Sequence, residues 1–256
     1  MKLAYREFGT GQPLIILHGL FGQSDNWNTL AKNFAEKGFK VFTVDQRNHG
    51  LSPHSNEWNY ELMAEDLLEF INDHALKQPV LLGHSMGGKT VLFFEKLFPG
   101  IASQLIIADI AARAYEPHHD SVFAALHAVD FDFVSTRKEV EAIMEQHISD
   151  FGTRQFLLKN IYWKDTVNNR MDWRFNLSTI TAKYDEIGVS VPEFISTTNT
   201  LIIRGEKSNY VSAQDLDEYK IRFSNLKIVT ISGAGHWVHA EKPKEFFEAV
   251  MEFITV

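Results

Sequence analysis

The chain contains no cysteine. That excludes disulfides, thiolate-bound metals and a cysteine nucleophile, and it fits a reducing compartment. Long apolar runs are missing as well: no stretch approaches the ~18 apolar residues a membrane-spanning helix needs. Met1 to Phe8 carries Lys2, Arg6 and Glu7 and lacks the apolar centre of a signal peptide. Basic charge is in short supply, with 25 Lys and Arg against 33 Asp and Glu, a formal net charge of −8. A field of that sign does not favour nucleic acid or anionic membrane, and the basic residues are scattered. These shortages lead to the expectation of a cytoplasmic protein that acts on neither nucleic acid nor membrane.

What is present is ordinary globular composition, 45% hydrophobic and 23% charged over 256 residues, enough for one substantial core. Short apolar runs recur at Leu14–Leu17, Val41–Val44, Val80–Leu82, Leu105–Ile107, Leu201–Ile203 and Ile228–Ile231. Runs without polar alternation suit strands covered on both faces, as in a parallel sheet. Between them lie helix-like stretches at Tyr60–His74, Gly87–Leu97 and Ala213–Phe223, the second closed by Pro99-Gly100. The alternation predicts an α/β fold, a mostly parallel sheet flanked by helices.

One interval, between Leu105–Ile107 and Leu201–Ile203, is far too long for a single crossover. Its interior reads as mainly helical, with apolar residues at helical spacing over Asp120–Val129, Thr136–Ile148 and Thr153–Ile161. Ligands of open α/β sheets bind beyond the carboxyl ends of the strands, the end from which this insertion departs. A helical cap over residues 112–198 is therefore expected, inserted in a core formed by 1–111 and 199–256.

The strongest chemical signal is Gly83-His84-Ser85-Met86-Gly87-Gly88, which follows an apolar run and opens a helix. It matches G-x-S-x-G in its strand–turn–helix context, where the tight turn excludes side chains at the glycines and exposes the serine. Ser85 is the expected nucleophile. A tetrahedral intermediate needs two preorganised N–H donors. Met86 is expected to supply one and the loop after His18-Gly19 the other, from Leu20 or, second choice, Phe21; His18 itself is expected to hold the loop. His236 lies in the small-residue loop Gly233-Ala234-Gly235 after the last apolar run, and is the expected base, ahead of His239. A hydroxyl in an elbow and a histidine on a later loop form the pair that nucleophilic acyl transfer requires.

Together, Gly83–Gly88, His18–Gly22, Asp45–Ser52 and Gly235–Pro243 resemble the α/β-hydrolase superfamily, and within it YbfF-type bacterial esterases. Ala108–Ala111, Gln155–Lys159, Trp173–Asn176 and Ser208–Ser212 extend the resemblance over nearly the whole chain. It implies hydrolysis of short- to medium-chain acyl esters, with no cofactor. The third catalytic group is less obvious. A common place for it is three residues past Gly205, where Ser208 stands and cannot be the acid. Asp109, past the Leu105–Ile107 run, and Glu206 are the available carboxylates. The resemblance favours Asp109 and implies that Ser208 joins as an extra hydrogen-bonding member.

Phe21, Tyr210 and Trp237, beside these motifs, are candidate substrate contacts. Of the cap aromatics Phe123, Phe156, Trp163, Phe175 and Tyr184, a minority is expected to line the acyl site, with Phe156 and Phe175 the named candidates. Asp45 and Arg47 are expected to fix a loop. His118-His119-Asp120 lacks the spacing of a metal site, and no metal is expected. Acyl-CoA thioesterase and perhydrolase activities would use the same nucleophile. A non-catalytic binding protein would have no need to keep nucleophile, base and oxyanion loop together. The expected partner is a small acyl ester, and the expected state a monomer or small homo-oligomer.

Overall fold

The fold is that of a computed structural model, which describes residues 1–255; Val256, the last residue of the expected core segment, lies outside them. Among the described residues, nine strands run in chain order: β1 (Tyr5–Phe8), β2 (Gln12–Leu17), β3 (Phe39–Val44), β4 (Val80–His84), β5 (Gln104–Ala108), β6 (Ile161–Asp165), β7 (Arg170–Trp173), β8 (Asn199–Gly205) and β9 (Leu226–Ile231). Seven form one sheet in the order β1-β3-β2-β4-β5-β8-β9. All neighbours pair in parallel except β1, which runs antiparallel to β3. Every apolar run singled out above lies within a strand of this sheet.

The reason for the unbroken runs is visible in the packing. Ile15, Leu17, Phe42, Leu81, Ile107 and Ile202 bury on one face of the sheet, and Leu14, Ile16, Val41, Leu82, Ile106 and Ile203 on the other. Helices α1 (Asn28–Glu36), α2 (Tyr60–Asp73) and α3 (Met86–Leu97) lie among the first strands. The first face is covered by α2 and α3 through Met63, Leu67, Val91 and Phe94. The second is covered by α1, through Leu30 and Phe34, and by a C-terminal helix, through Phe246 and Val250. With both faces dry, no position along a central strand has reason to be polar.

Between β5 and β8 the insertion holds α4 (Asp120–Ala128), α5 (Arg137–Glu145), α6 (Phe151–Leu158), α7 (Leu177–Ala182) and α8 (Asp185–Gly188), together with the β6–β7 hairpin. The expectation of a mainly helical insertion omitted that hairpin. Its turn is stated in the sequence all the same: Asp165 Oδ1 accepts the N–H groups of Val167 and Asn168, and Asn169 takes a left-handed φ of 51°. Strand β1 was also missed, because four half-polar residues carry no strand period long enough to read. After β8 come α9 (Ala213–Arg222), α10 (Val238–Glu241) and α11 (Pro243–Ile254). Among the described residues, no helix is long and apolar enough to cross a membrane.

Parallel strands place all their carboxyl ends at one edge. The loops carrying His18–Gly22, Ser85, Asp109, Ser208 and Ser232–Trp237 therefore meet there.

Candidate active site

Ser85 sits between the end of β4 and the start of α3 with φ 52° and ψ −118°, a region costing a non-glycine residue about 1–3 kcal/mol. Its neighbours enforce the strain. A Cβ at Gly83 would collide with the Gly87 carbonyl, and one at Gly87 with the carbonyls of Leu17 and His18. Ser85 N–H is held by Ala108 O at 3.0 Å. The hydroxyl that results lies 3.1 Å from His236 Nε2.

His236 Nδ1 meets Asp109 Oδ2 at 2.8 Å. Asp109 follows β5, the strand paired directly with β4, and is fully buried with φ 49°. Its carboxylate also accepts Gly205 N–H at 2.8 Å on Oδ1 and the Ser208 hydroxyl on Oδ2. Three donors supply what water would otherwise provide to a buried charge. The structure thus brings Ser85, His236, Asp109 and Ser208 into one connected chain. Glu206 is not in it: its carboxylate turns away and accepts Gly233 N–H at 2.7 Å and Ser232 Oγ at 2.8 Å. His239 also stands aside, its ring stacked on Trp27 at 4.1 Å.

The loop after β2 approaches Ser85 closely, so that a Cβ at Gly19 would lie 3.2 Å from the Ser85 Cβ. Gly22 N–H bonds to Gly19 O at 2.9 Å, closing a turn in which Phe21 has φ 58°. The N–H groups of Leu20 and Phe21 have no partner among the described residues, and Met86 opens α3 with its own N–H unused. His18 braces this turn. Its Nδ1–H donates to Gly19 O at 2.8 Å, and its Nε2 accepts Gln46 N–H at 3.0 Å. Burial pushes its pKa down to about 4, which keeps it neutral, and the Gln46 N–H at Nε2 fixes the tautomer. Asp45 accepts Ser24 and Leu51 N–H, and Arg47 forms a buried pair with Asp66 at 2.6 Å.

Three contributors escaped the sequence reading. Glu241 accepts Gly235 N–H at 2.7 Å and Trp237 N–H at 3.2 Å, clamping the loop on both sides of His236. His84 donates from Nε2 to His236 O at 2.9 Å, and its burial, with His239 and His236 nearby, holds it well below its ordinary pKa. Asn160, at the end of α6, donates to Phe21 O at 2.8 Å and ties the insertion to the turn after β2. His84 and Asn160 act on segments distant in the chain, which no local pattern announces, whereas Glu241 acts on its own loop four to six residues back.

A cavity of about 640 Å³ opens at Ser85, bounded by the loops of the sheet edge and by the insertion. Phe21, Tyr210 and Trp237 line it, as do Phe156 and Tyr184 from the insertion. Phe175 does not: it is buried, stacked on Trp173 at 5.4 Å and packed on Phe21. Phe123 packs on Phe21 and Tyr184, and Trp163 is half exposed. The expectation that Phe175 faces the site is thereby corrected; the hairpin strand β7 leads its ring into the packing beneath. Among the described residues, no three His, Asp or Glu side chains are grouped to hold a metal.

A central parallel sheet, a strained serine between strand and helix, and a histidine on the loop after the last strand define the α/β-hydrolase class. The family described as alpha/beta hydrolase fold matches residues 12–243, and the chain belongs to it. It is 37% identical over 246 residues to Esterase YbfF of Escherichia coli (strain K12), covering 95% of this chain and 93% of that protein. It is 36% identical over 251 residues to the sn-1-specific diacylglycerol lipase ABHD11 of Mus musculus, covering 94% of this chain and 80% of that one. A solved marine microorganism esterase is 39% identical, covers 99% of both chains and superposes with a TM-score of 0.94.

Proposed function

We propose that the protein is a carboxylic ester hydrolase that works through an acyl-enzyme on Ser85, with short- to medium-chain acyl esters as substrates. The observation that carries this reading is the continuous path Ser85 Oγ to His236 Nε2 at 3.1 Å and His236 Nδ1 to Asp109 Oδ2 at 2.8 Å. Ser85 Oγ attacks the acyl carbonyl while His236 Nε2 takes its proton. Asp109 stabilises the imidazolium, and Gly205 N–H and the Ser208 hydroxyl hold that carboxylate in place. Leu20 and Met86 N–H groups receive the oxyanion. The protonated His236 returns its proton to the departing alcohol, and a water activated by the same imidazole then releases the acid.

The cavity supports this substrate class, because its size exceeds what an acetyl group fills and most of its walls are apolar. Phe21, Tyr210 and Trp237 are assigned to substrate contact. Residues 1–111 and 199–256 are read as the core and 112–198 as a cap that limits access to Ser85. The protein is read as a cytoplasmic monomer or small homo-oligomer, the lack of cysteine supporting the reducing location. The test is hydrolysis of p-nitrophenyl esters from acetate to palmitate, with labelling by a fluorophosphonate probe. Ser85→Ala should lose turnover by about 10⁴-fold or more and lose labelling while remaining folded. A folded Ser85→Ala protein that keeps substantial turnover would overturn the reading.

A further inference from the structure

We infer that Tyr210 is a positioning residue for His236, acting through the face of the imidazole. This rests on the roles proposed above for Ser85 and His236. The Tyr210 and His236 rings stack with centroids 3.7 Å apart and planes 15° from parallel. The hydroxyl is not free to act on substrate: it is bonded to His118 Nε2 at 2.6 Å, and His118 belongs to the insertion's first segment. The rest of Tyr210 is pinned to the same site. Its N–H donates to Ser208 Oγ at 3.2 Å, and its carbonyl accepts the Tyr115 hydroxyl at 2.6 Å. Tyr115 in turn accepts Ala111 N–H at 2.8 Å, so the Tyr210 carbonyl is fixed from outside its own loop, while its N–H is held within the loop by Ser208, itself bonded to Asp109.

Several groups face His236, and buried His239, held down to about 3, lies behind the His84 ring at 4.5 Å. Asp109 stands at Nδ1, Ser85 at Nε2, the Tyr210 ring on one face and the His84 ring 4.8 Å away at 42°. His118 and His119 are the nearby titratable groups of the insertion; His119 pairs its Nδ1 with the Tyr184 hydroxyl, and burial pushes it down to about 4. Burial raises the Tyr210 phenol to about 12, so the ring over His236 is neutral.

The consequence is chemical as well as geometric. When Ser85 gives its proton to Nε2, the imidazole becomes a cation lying flat against a neutral aromatic face. Such an arrangement attracts a cation more than a neutral ring, by about 0.5–2 kcal/mol. Tyr210 therefore favours the protonated base formed in the transition state, and it restricts rotation of the imidazole out of the Ser85–Asp109 line.

The experiment compares Tyr210→Leu, Tyr210→Phe and His118→Ala. Leucine keeps apolar cover over His236, and so a similar exclusion of water, but has no aromatic face. Tyr210→Leu should lower kcat about 3- to 30-fold, a larger change than any in KM, and move the acid limb of the pH–rate profile about 0.5 to 1 to lower pH. Tyr210→Phe should restore most of kcat and the wild-type acid limb. His118→Ala should behave like Tyr210→Phe, since both remove the hydroxyl's tether and keep the ring. Tyr210→Met serves the same comparison if the leucine variant does not fold. A rise in KM alone, with kcat and the acid limb unmoved, would show that Tyr210 merely lines the cavity and would overturn the inference. Probe labelling at Ser85 separates the two levels. Labelling that persists in Ser85→Ala removes the nucleophile assignment, whereas Ser85-dependent labelling with an unmoved profile removes only the role of Tyr210.

Discussion

Asp109 and Glu206 show how one residue type takes opposite roles from placement. Both follow the carboxyl end of a strand, yet only Asp109 turns toward His236, with a left-handed backbone that swings its carboxylate across the sheet edge. Glu206 spends both of its bonds on the Ser232–Gly233 turn, which lowers its pKa through Gly233 N–H first and Ser232 second. Removing the charge with Asp109→Asn should reduce kcat by about 10²–10⁴-fold, because the imidazolium loses its counter-charge. Ser208→Ala should cost about tenfold, the loss of one hydrogen bond to that charged carboxylate. Glu206→Gln should turn over like the parent. Steady-state kinetics on the three folded variants decide the matter: a crippled Glu206→Gln beside an active Asp109→Asn would place the acid on the later strand.

Helix α3 links the serine turn to the insertion. Lys89, one turn into it, is buried with no carboxylate partner among the described residues; its ammonium donates to Val189 O and lies 4.8 Å from the Tyr115 ring. Burial, with the Arg113 guanidinium second, pushes its pKa down to about 7 from the ordinary 10.5. The sign follows from proton binding. Below pH 7 both folded and unfolded chains carry the charge, and its burial cost is present in full. Between about 7 and 10.5 the unfolded chain binds more protons, so stability rises with pH across that window. Lys89→Met should raise the urea midpoint at pH 6 and flatten the difference between pH 7 and 10. Equal pH dependence in the two proteins would show that the lysine is not buried in its charged form. The substitution also removes the bond from α3 to Val189, so the gain should be smaller than the burial cost alone.

The molecule as a whole encloses its site between a rigid sheet edge and the insertion. Polar bonds cross that boundary at both ends of the cavity: Asn160 to Phe21 on one side, Tyr60 Oη to Ile187 O at 3.0 Å on the other. If the insertion limits chain length, the residues that matter are those lining the cavity. Phe156→Ala and Tyr184→Ala should shift the preferred acyl length upward, with a smaller effect on acetate esters. Phe175→Ala, by contrast, removes a ring packed beneath the cavity and should cost about 3–5 kcal/mol of stability. Its direct effect on chain-length preference should be smaller. The checks are kcat/KM across the p-nitrophenyl series and denaturation of each variant. An unmoved preference in both lining variants would mean that the insertion does not limit acyl length.

Much of this protein is determined locally and can be read from the chain alone. The apolar runs specify central strands because both faces of the sheet are dry. Gly83 and Gly87 specify the turn at Ser85 because no side chain fits there. His236 is legible because a small-residue loop after the last apolar run has few other purposes. What the tertiary structure decided is everything carried by partners distant in sequence. Which carboxylate meets His236 depends on β5 lying between β4 and β8, a pairing no local window contains. The bond from His84 to His236 O, the bond from Asn160 and the ring of Tyr210 over His236 depend on where whole loops arrive, and the same is true of Phe175 turning inward while Phe156 faces the cavity. Steric rules and burial act over a few residues and leave their mark on composition. Direction and contact across the sheet edge arise only once the strands are paired.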